Sequence, residues 1–302
     1  MAYQAKIIAD SVSPAGCRLT TMEVTFPRIV LSEFNTHRMF SRNSASSRAI
    51  PIAKQLQRIT DDPFIPVWWG RNQSGMQAEV ELSGYERIQA ESEWLAARDS
   101  AVAHVRQLMA LGLHKQISNR LLEPWMWQTV IVTATEWSNF FALRANPMAQ
   151  PEIRTVAVMM KELHEANEPS LINQGEWHLP FIQPEERDGA FEFSEEARKI
   201  SAARCARVSY LTHDGRRDLE ADLKLYDRLA SAGHMSPFEH VATPLPWRPH
   251  LMERLGEWIS VEESVLANKL DERVQWSGNF RGWKQLRKFL PHEDDFSKVA
   301  NR

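Results

Sequence analysis

The longest regular signal in the sequence runs from Tyr85 to about Gly112, where Trp94, Leu95, Ala101, Val102, Val105, Leu108 and Met109 recur at helical spacing. The closing glycine suits a helix C-cap. A different period precedes it. Residues 19–34, LTTMEVTFPRIVLSEF, mix short alternation with β-branched residues and read as one or two strands, with Pro27 requiring an edge position or a bend. Further helices are predicted at about 114–122, stopping near Pro124, and at 151–166, where Pro151 suits the first turn. The run at about 126–143 is apolar around much of its circumference and is expected to be a central helix packed on several sides. Ser194 followed by Glu195 and Glu196 opens a helix to about 207, and Asp218 caps another that ends at Gly233. Ser260 with Glu263 forms a capping box for a helix to about 274. Residues 60–84 carry two prolines, three glycines and no helical period, so they are a long surface loop, and 167–193 form a polar, proline-bearing connection. With no internal repeat, the expected fold is a helix-rich α+β protein in a single domain spanning 1–302.

Composition removes several function classes. A net charge of −3 gives no general reason to expect nucleic acid or an acidic membrane as partner. The first residues lack a basic stretch leading into an apolar run, and no apolar run approaches the ~18 residues of a bilayer span, so a cytoplasmic protein is expected. Cys17 and Cys205 make no CxxC, which disfavours a disulfide framework or a cysteine-built zinc site. Twelve glycines include no GxG, which removes the Rossmann fingerprint and the Walker loop together. A nucleotide bound here must have its phosphates held by side chains.

Three clusters carry possible chemistry. The stretch THRMFSRNSASSRAIP, Thr36 to Pro51, lies in a segment from Phe34 to Thr60 that has no acidic residue, while Arg38, Arg42, Arg48, Lys54 and Arg58 are all basic. Serine hydroxyls and guanidinium forks suit phosphate oxygens, and a helix starting near Pro51 could add backbone N–H donors. The same composition also fits a solvated Arg/Ser loop or an RNA-binding segment. The second cluster is GHMSPFEH, Gly233 to His240; its spacing is neither HExxH nor HxxEH and Pro237 breaks the helix those motifs need, so no metal is expected. The third spans Asn119 to Arg154. There Thr135 and Asn139, four apart, would share one face of the predicted central helix, flanked by Arg120 and Arg144.

Together the clusters resemble the flavin-dependent thymidylate synthases, which methylate dUMP without an enzyme nucleophile. The family signature RHRxxSxNxxSxR is matched at His37, Arg38, Ser41, Asn43, Ser46 and Arg48, GHxSPFEH at Gly233 to His240, and LR…AQxEI at Leu143, Arg144, Ala149, Gln150, Glu152 and Ile153. Thr36 stands where the signature has its first arginine, Ser44 where an acidic residue is usual, and Ala49 where an aromatic is usual. GHMSPFEH also follows the arginine motif, an order that looks permuted and resembles phage-type members.

The resemblance implies a mainly antiparallel sheet, FAD as cofactor, NADPH and methylenetetrahydrofolate as co-substrates, and a homotetramer with shared active sites. It implies FAD contacts from His37, Arg38, Asn139, His234 and Ser236. Ser46, Ser47 and Arg48 would hold the dUMP phosphate, with Arg120 reaching it from another subunit. Arg144 would sit on the uracil ring as the catalytic cation, placed where negative charge develops. If the chain is phage-encoded, its compartment would be the host cytoplasm. The flavin-free class of thymidylate synthases attacks with a cysteine in a Pro-Cys context that neither AGCRL nor ARCAR supplies. Two other readings stay open, a related flavin enzyme acting on another pyrimidine deoxynucleotide and a non-catalytic nucleotide or RNA binder.

Overall fold

The computed structural model describes residues 2–47, 49–187, 189, 191–210, 218–246 and 274–295. Arg48 and the capping box at Ser260 and Glu263 lie outside the described residues.

The alternating residues near the N-terminus form a hairpin of β1 (Gln4–Val12) and β2 (Arg18–Pro27). β2 pairs antiparallel with β4 (Trp127–Ala134), Thr20 opposite Ala134 and Pro27 opposite Trp127. Pro27 is tolerated because it is the last residue of the strand, where the chain turns into the 3-10 turn Arg28–Val30 and the short helix α1 (Leu31–Asn35). β3 (Ser41–Ser44) flanks β4 with Ser41 opposite Thr133, and the two-residue β5 (Ser170–Leu171) runs parallel to β1. The sheet order is β3-β4-β2-β1-β5, and it is mostly antiparallel.

The helices are α2 (Ile52–Asp61), α3 (Gly84–Ala110), α4 (Lys115–Ser118), α5 (Ser138–Arg144), α6 (Pro151–Ala166), α7 (Glu195–Ala206) and α8 (Leu219–Ser231). Several end as their sequences require. Gly112, at φ 78°, donates to Met109 O while Leu113 donates to Leu108 O, and Gly233, at φ 69°, ends α8 in the same way. The side chains of Ser194 and Asp218 accept the N–H groups of Ala197 and Ala221. Small strands β6 (Ala242–Pro244), β7 (Trp276–Ser277), β8 (Phe280–Arg281) and β9 (Trp283–Gln285) complete the described structure, β6 pairing with β9 and β7 with β8.

Three expectations are corrected. The predicted central helix at 126–143 is strand β4 followed by α5. WQTVIVTA is buried on both faces of a sheet, so it shows no alternation, and its Val, Ile and Thr side chains favour the pleated backbone. Thr135 therefore lies between strand and helix and shares no helical face with Asn139. The segment NFRGWKQLRK near the C-terminus forms β8, β9 and a 3-10 turn, with Trp283 fully buried and Gly282 at φ 74°. The helix expected to stop near Pro124 is only α4, which continues as a 3-10 helix, Asn119–Trp125, through that proline. The strand expected within 19–34 runs to Pro27, beyond which the backbone is helical.

The sheet has two unlike faces. Met22, Val24, Phe26, Val130 and Val132 pack against Ile153, Val156, Ala157 and Met160 of α6 and against Phe34, Phe40 and Phe140. The opposite face carries Thr21 and Thr133, whose hydroxyls are 2.7 Å apart. His178, from the 167–193 connection, bonds through Nε2 to Thr21 at 2.8 Å and through Nδ1 to Ser11 at 2.8 Å. His240 Nδ1 bonds to Thr133 at 2.7 Å. Ser11, His178, Thr21, Thr133 and His240 thus form one buried polar chain across the sheet, and burial pushes both imidazoles down to about 3. Both are neutral near pH 7. Among the described residues no helix is long and apolar enough to cross a membrane.

Candidate active site

β3 and the turn before it organise the site. Phe34 of α1 and Phe40 of the turn pack on each other and on Phe140 of α5, with ring centroids 5.1–5.6 Å apart. This aromatic contact brings the end of α5 against the turn. Arg144, the last residue of α5, donates from Nε to His37 Nε2 at 3.0 Å and from Nη2 to Thr36 Oγ1 at 3.3 Å. A guanidinium only donates, so His37 Nε2 accepts and its ring proton sits on Nδ1. Burial, then the Arg144 and Arg42 charges, lower His37 to about 4, so it is neutral at ordinary pH. His37 also packs edge-on to Phe140, centroids 4.9 Å apart. Arg42 is anchored, donating to Phe34 O at 3.3 Å and His37 O at 3.4 Å. Arg38 and Asn139 are exposed beside this pair, on the turn and on α5.

The serine half of the basic stretch is a loop held from below. Gln128 donates to Ala45 O at 2.7 Å, Asn119 to Ser47 O at 2.7 Å and Ile50 O at 3.1 Å, and Lys115 to Ala49 O at 3.1 Å. Ser46 is half-buried; Ser47 is buried and donates to Glu123 Oε1 at 3.3 Å. Glu123 also pairs with Arg120 at 2.7 Å and Arg28 at 2.8 Å. Arg120 and Ser47, expected to meet across subunits, are therefore joined through one carboxylate of their own chain. α2 begins at Ile52 with Pro51 as its N-cap, as the loop-to-helix expectation has it.

GHMSPFEH packs against the same strand. Pro237 and Phe238 are buried, His234 and Ser236 are exposed, and His240 reaches Thr133, the residue opposite Ser41. Glu239 pairs with Arg287 at 2.6 Å, and its charge also acts on Arg42. The structure thus gathers the three motifs around β3. It joins His37 directly to Arg144 and Ser47 indirectly to Arg120, while Arg38, Asn139, His234 and Ser236 present side chains to solvent. Among the described residues no group of three or more His, Cys, Asp or Glu is placed to hold a metal ion.

Residues with no motif to mark them also build the site. Asn119 and Glu123 support the serine loop, and Asn279 and Gln285 bond to Ser41. Their partners are 72 to 244 positions away, and no local periodicity signals such contacts. Both cysteines are buried and burial raises both thiols, Cys17 to about 11, which leaves neither as a ready thiolate. The donor set of Arg38, Arg144, neutral His37 and nearby amides and hydroxyls fits an anionic, ring-bearing cofactor such as FAD.

The model of the thymidylate synthase complementing protein family matches residues 10–170. No curated protein matches the chain. Two solved structures of the UMP/dUMP methylase PolB from Streptomyces cacaoi, bound with 5-Br dUMP and with 5-Br UMP, are similar at 15% identity. Each covers 54% of this chain, and 90% and 88% of the respective PolB chain, with TM-scores of 0.42 and 0.44. The family match covers more than half of the 302 residues and includes the His37 turn, the serine loop and Arg144. On that match the chain belongs to the thymidylate synthase complementing protein family, the flavin-dependent thymidylate synthases.

Proposed function

We propose that the protein is a flavin-dependent thymidylate synthase that converts dUMP to dTMP, with methylenetetrahydrofolate as carbon donor and NADPH as reductant through FAD. Family membership supports the methyltransferase class, and one contact supports the site: the 3.0 Å bond from Arg144 to His37, which joins two motifs 107 residues apart. Bound FAD would supply the hydride and one-carbon transfer chemistry. The chain's own residues do the rest.

Arg144, held in plane by neutral His37 and by Thr36, presents a fixed cation to the N3 and O2 edge of the pyrimidine. A preset positive charge there stabilises the negative charge that develops in the ring and makes C6 an acceptor, with no protein nucleophile needed. His37, Arg38, Asn139, His234 and Ser236 bind FAD in this reading. Ser46, Ser47, Arg48 and Arg120 bind the dUMP phosphate, Arg120 being released from Glu123 to do so. We place the enzyme in the cytoplasm, or the host cytoplasm if phage-encoded, as one domain that assembles into a homotetramer.

The test is tritium release from [5-³H]dUMP together with the absorption spectrum of the purified protein. Parent enzyme is expected to show flavin bands and release tritium, and Arg144→Ala to lose the release while keeping the fold. A colourless parent that takes up no FAD would overturn the reading. A second reading, methylation of another pyrimidine deoxynucleotide, is favoured by one observation: Thr36, which departs from the family signature, bonds the same Arg144 guanidinium. Mass spectrometry of products from dUMP and its analogues separates the two. The non-catalytic nucleotide- or RNA-binding reading has no support from family membership, and it predicts strongly salt-dependent RNA affinity with no flavin.

A further inference from the structure

The hairpin strands β7, β8 and β9 lie beyond the span matched by the family model, yet they dock directly on the candidate site. Two glycines shape the segment, Gly278 at φ 64° and Gly282 at φ 74°. The close approach at Gly282 explains why no side chain fits: a Cβ there would lie 2.6 Å from Cys17 Sγ. The Trp283 indole donates to Cys17 O at 2.9 Å, and the Arg281 N–H donates to Thr135 Oγ1 at 3.1 Å. The hairpin is thereby pinned at the β1–β2 turn on one side and at the junction of β4 and α5 on the other.

Between these pins sit two amides. Asn279 Nδ2 donates to Met39 O at 3.0 Å and to Ser41 Oγ at 3.0 Å. Gln285 Nε2 donates to Ser41 Oγ at 3.1 Å and to Asn279 Oδ1 at 2.9 Å, and the Ser41 hydroxyl lies 3.3 Å from that same oxygen. Ser41 is 1% exposed and Gln285 2%, so the bond between them forms away from competing water and its loss leaves buried polar groups unpaired, whereas the Asn279–Met39 bond lies at the surface. Met39 and Ser41 close the turn that begins at His37, and Ser41 starts β3. Whatever holds Met39 and Ser41 therefore sets where His37 and Arg38 stand relative to Arg144.

We propose that Asn279 and Gln285 are positioning residues of the active site, clamping the His37–Ser41 turn in its ligand-binding geometry from a hairpin outside the matched family span. The proposal rests on the flavin-enzyme reading for its ligand, but the clamp itself can be tested without flavin. Asn279→Leu and Gln285→Met keep side-chain volume and remove the bonds each amide makes; Ser41→Ala removes the bonds to the Ser41 hydroxyl from the other side and serves where Asn279→Leu does not fold. Each variant is compared with the parent by thermal melting, by FAD titration followed in flavin fluorescence, and by NMR titration of His37 in the ligand-free protein. Folded variants are expected to bind FAD at least tenfold more weakly, and His37 to titrate well above the parent as its turn loosens and its ring is rehydrated. Parental FAD affinity and a parental His37 titration in folded variants would overturn the clamp, whatever the melting temperature does. A parent that takes up no FAD defeats the flavin reading instead, and the His37 titration then decides the clamp alone.

Discussion

At the scale of single residues, the contact between Arg144 and His37 has the clearest consequences. The guanidinium offers donors in a fixed plane, so one edge can rest on His37 and Thr36 while the rest faces a ligand. Lysine cannot do this. Arg144→Lys keeps the charge but loses the fork, and kcat for tritium release is expected to fall about 100-fold or more, the scale of one lost transition-state donor. His37 and Arg144 were both legible in the sequence as motif positions. Their bond was not, because spacing along a chain says nothing about contacts across 107 residues. Thr36, by pattern a misfit, proves to bond Arg144 and Glu33 O.

At the scale of elements, local signals served well where a segment's neighbours matter little. The glycine at 112, the proline at 151 and the caps at Ser194 and Asp218 all do in the fold what their chemistry favours. β4 was misread for a physical reason: a strand buried on both faces has lost the alternation that identifies strands. The support beneath the serine loop gives a prediction at this scale. Asn119→Ala leaves the carbonyls of Ser47 and Ile50 without their donor, which should cost about 2 kcal/mol in urea unfolding and weaken dUMP binding in calorimetry. The hairpin gives a second. Gly112 and Gly282 are both left-handed, but only Gly282 is crowded, so Gly112→Ala should cost about 1 kcal/mol and Gly282→Ala clearly more in the same unfolding measurement.

At the scale of the whole molecule, the polar chain through the sheet ties stability to pH. His178 and His240 are neutral in the fold down to about pH 3, whereas in the unfolded chain they take up protons below about 6.5. The unfolded state then binds more protons, so stability is complete above about pH 6.5 and falls as the pH drops toward 3, by about 1.4 kcal/mol per pH unit for each histidine. Urea midpoints measured from pH 7 to pH 4 should show this decline, and His178→Gln should roughly halve it, leaving the share of His240. Most helix ends, the absence of a glycine-rich nucleotide loop and the motif positions of the site are legible along the chain, because propensities, caps and spacings act within a few residues. Long-range packing makes β4 a strand, lets Arg120 and Ser47 share one carboxylate, and brings a hairpin more than 230 residues downstream to grip Ser41. Those outcomes depend on which buried groups find partners across the sheet, a long-range matter of hydrogen-bond satisfaction that no local pattern encodes.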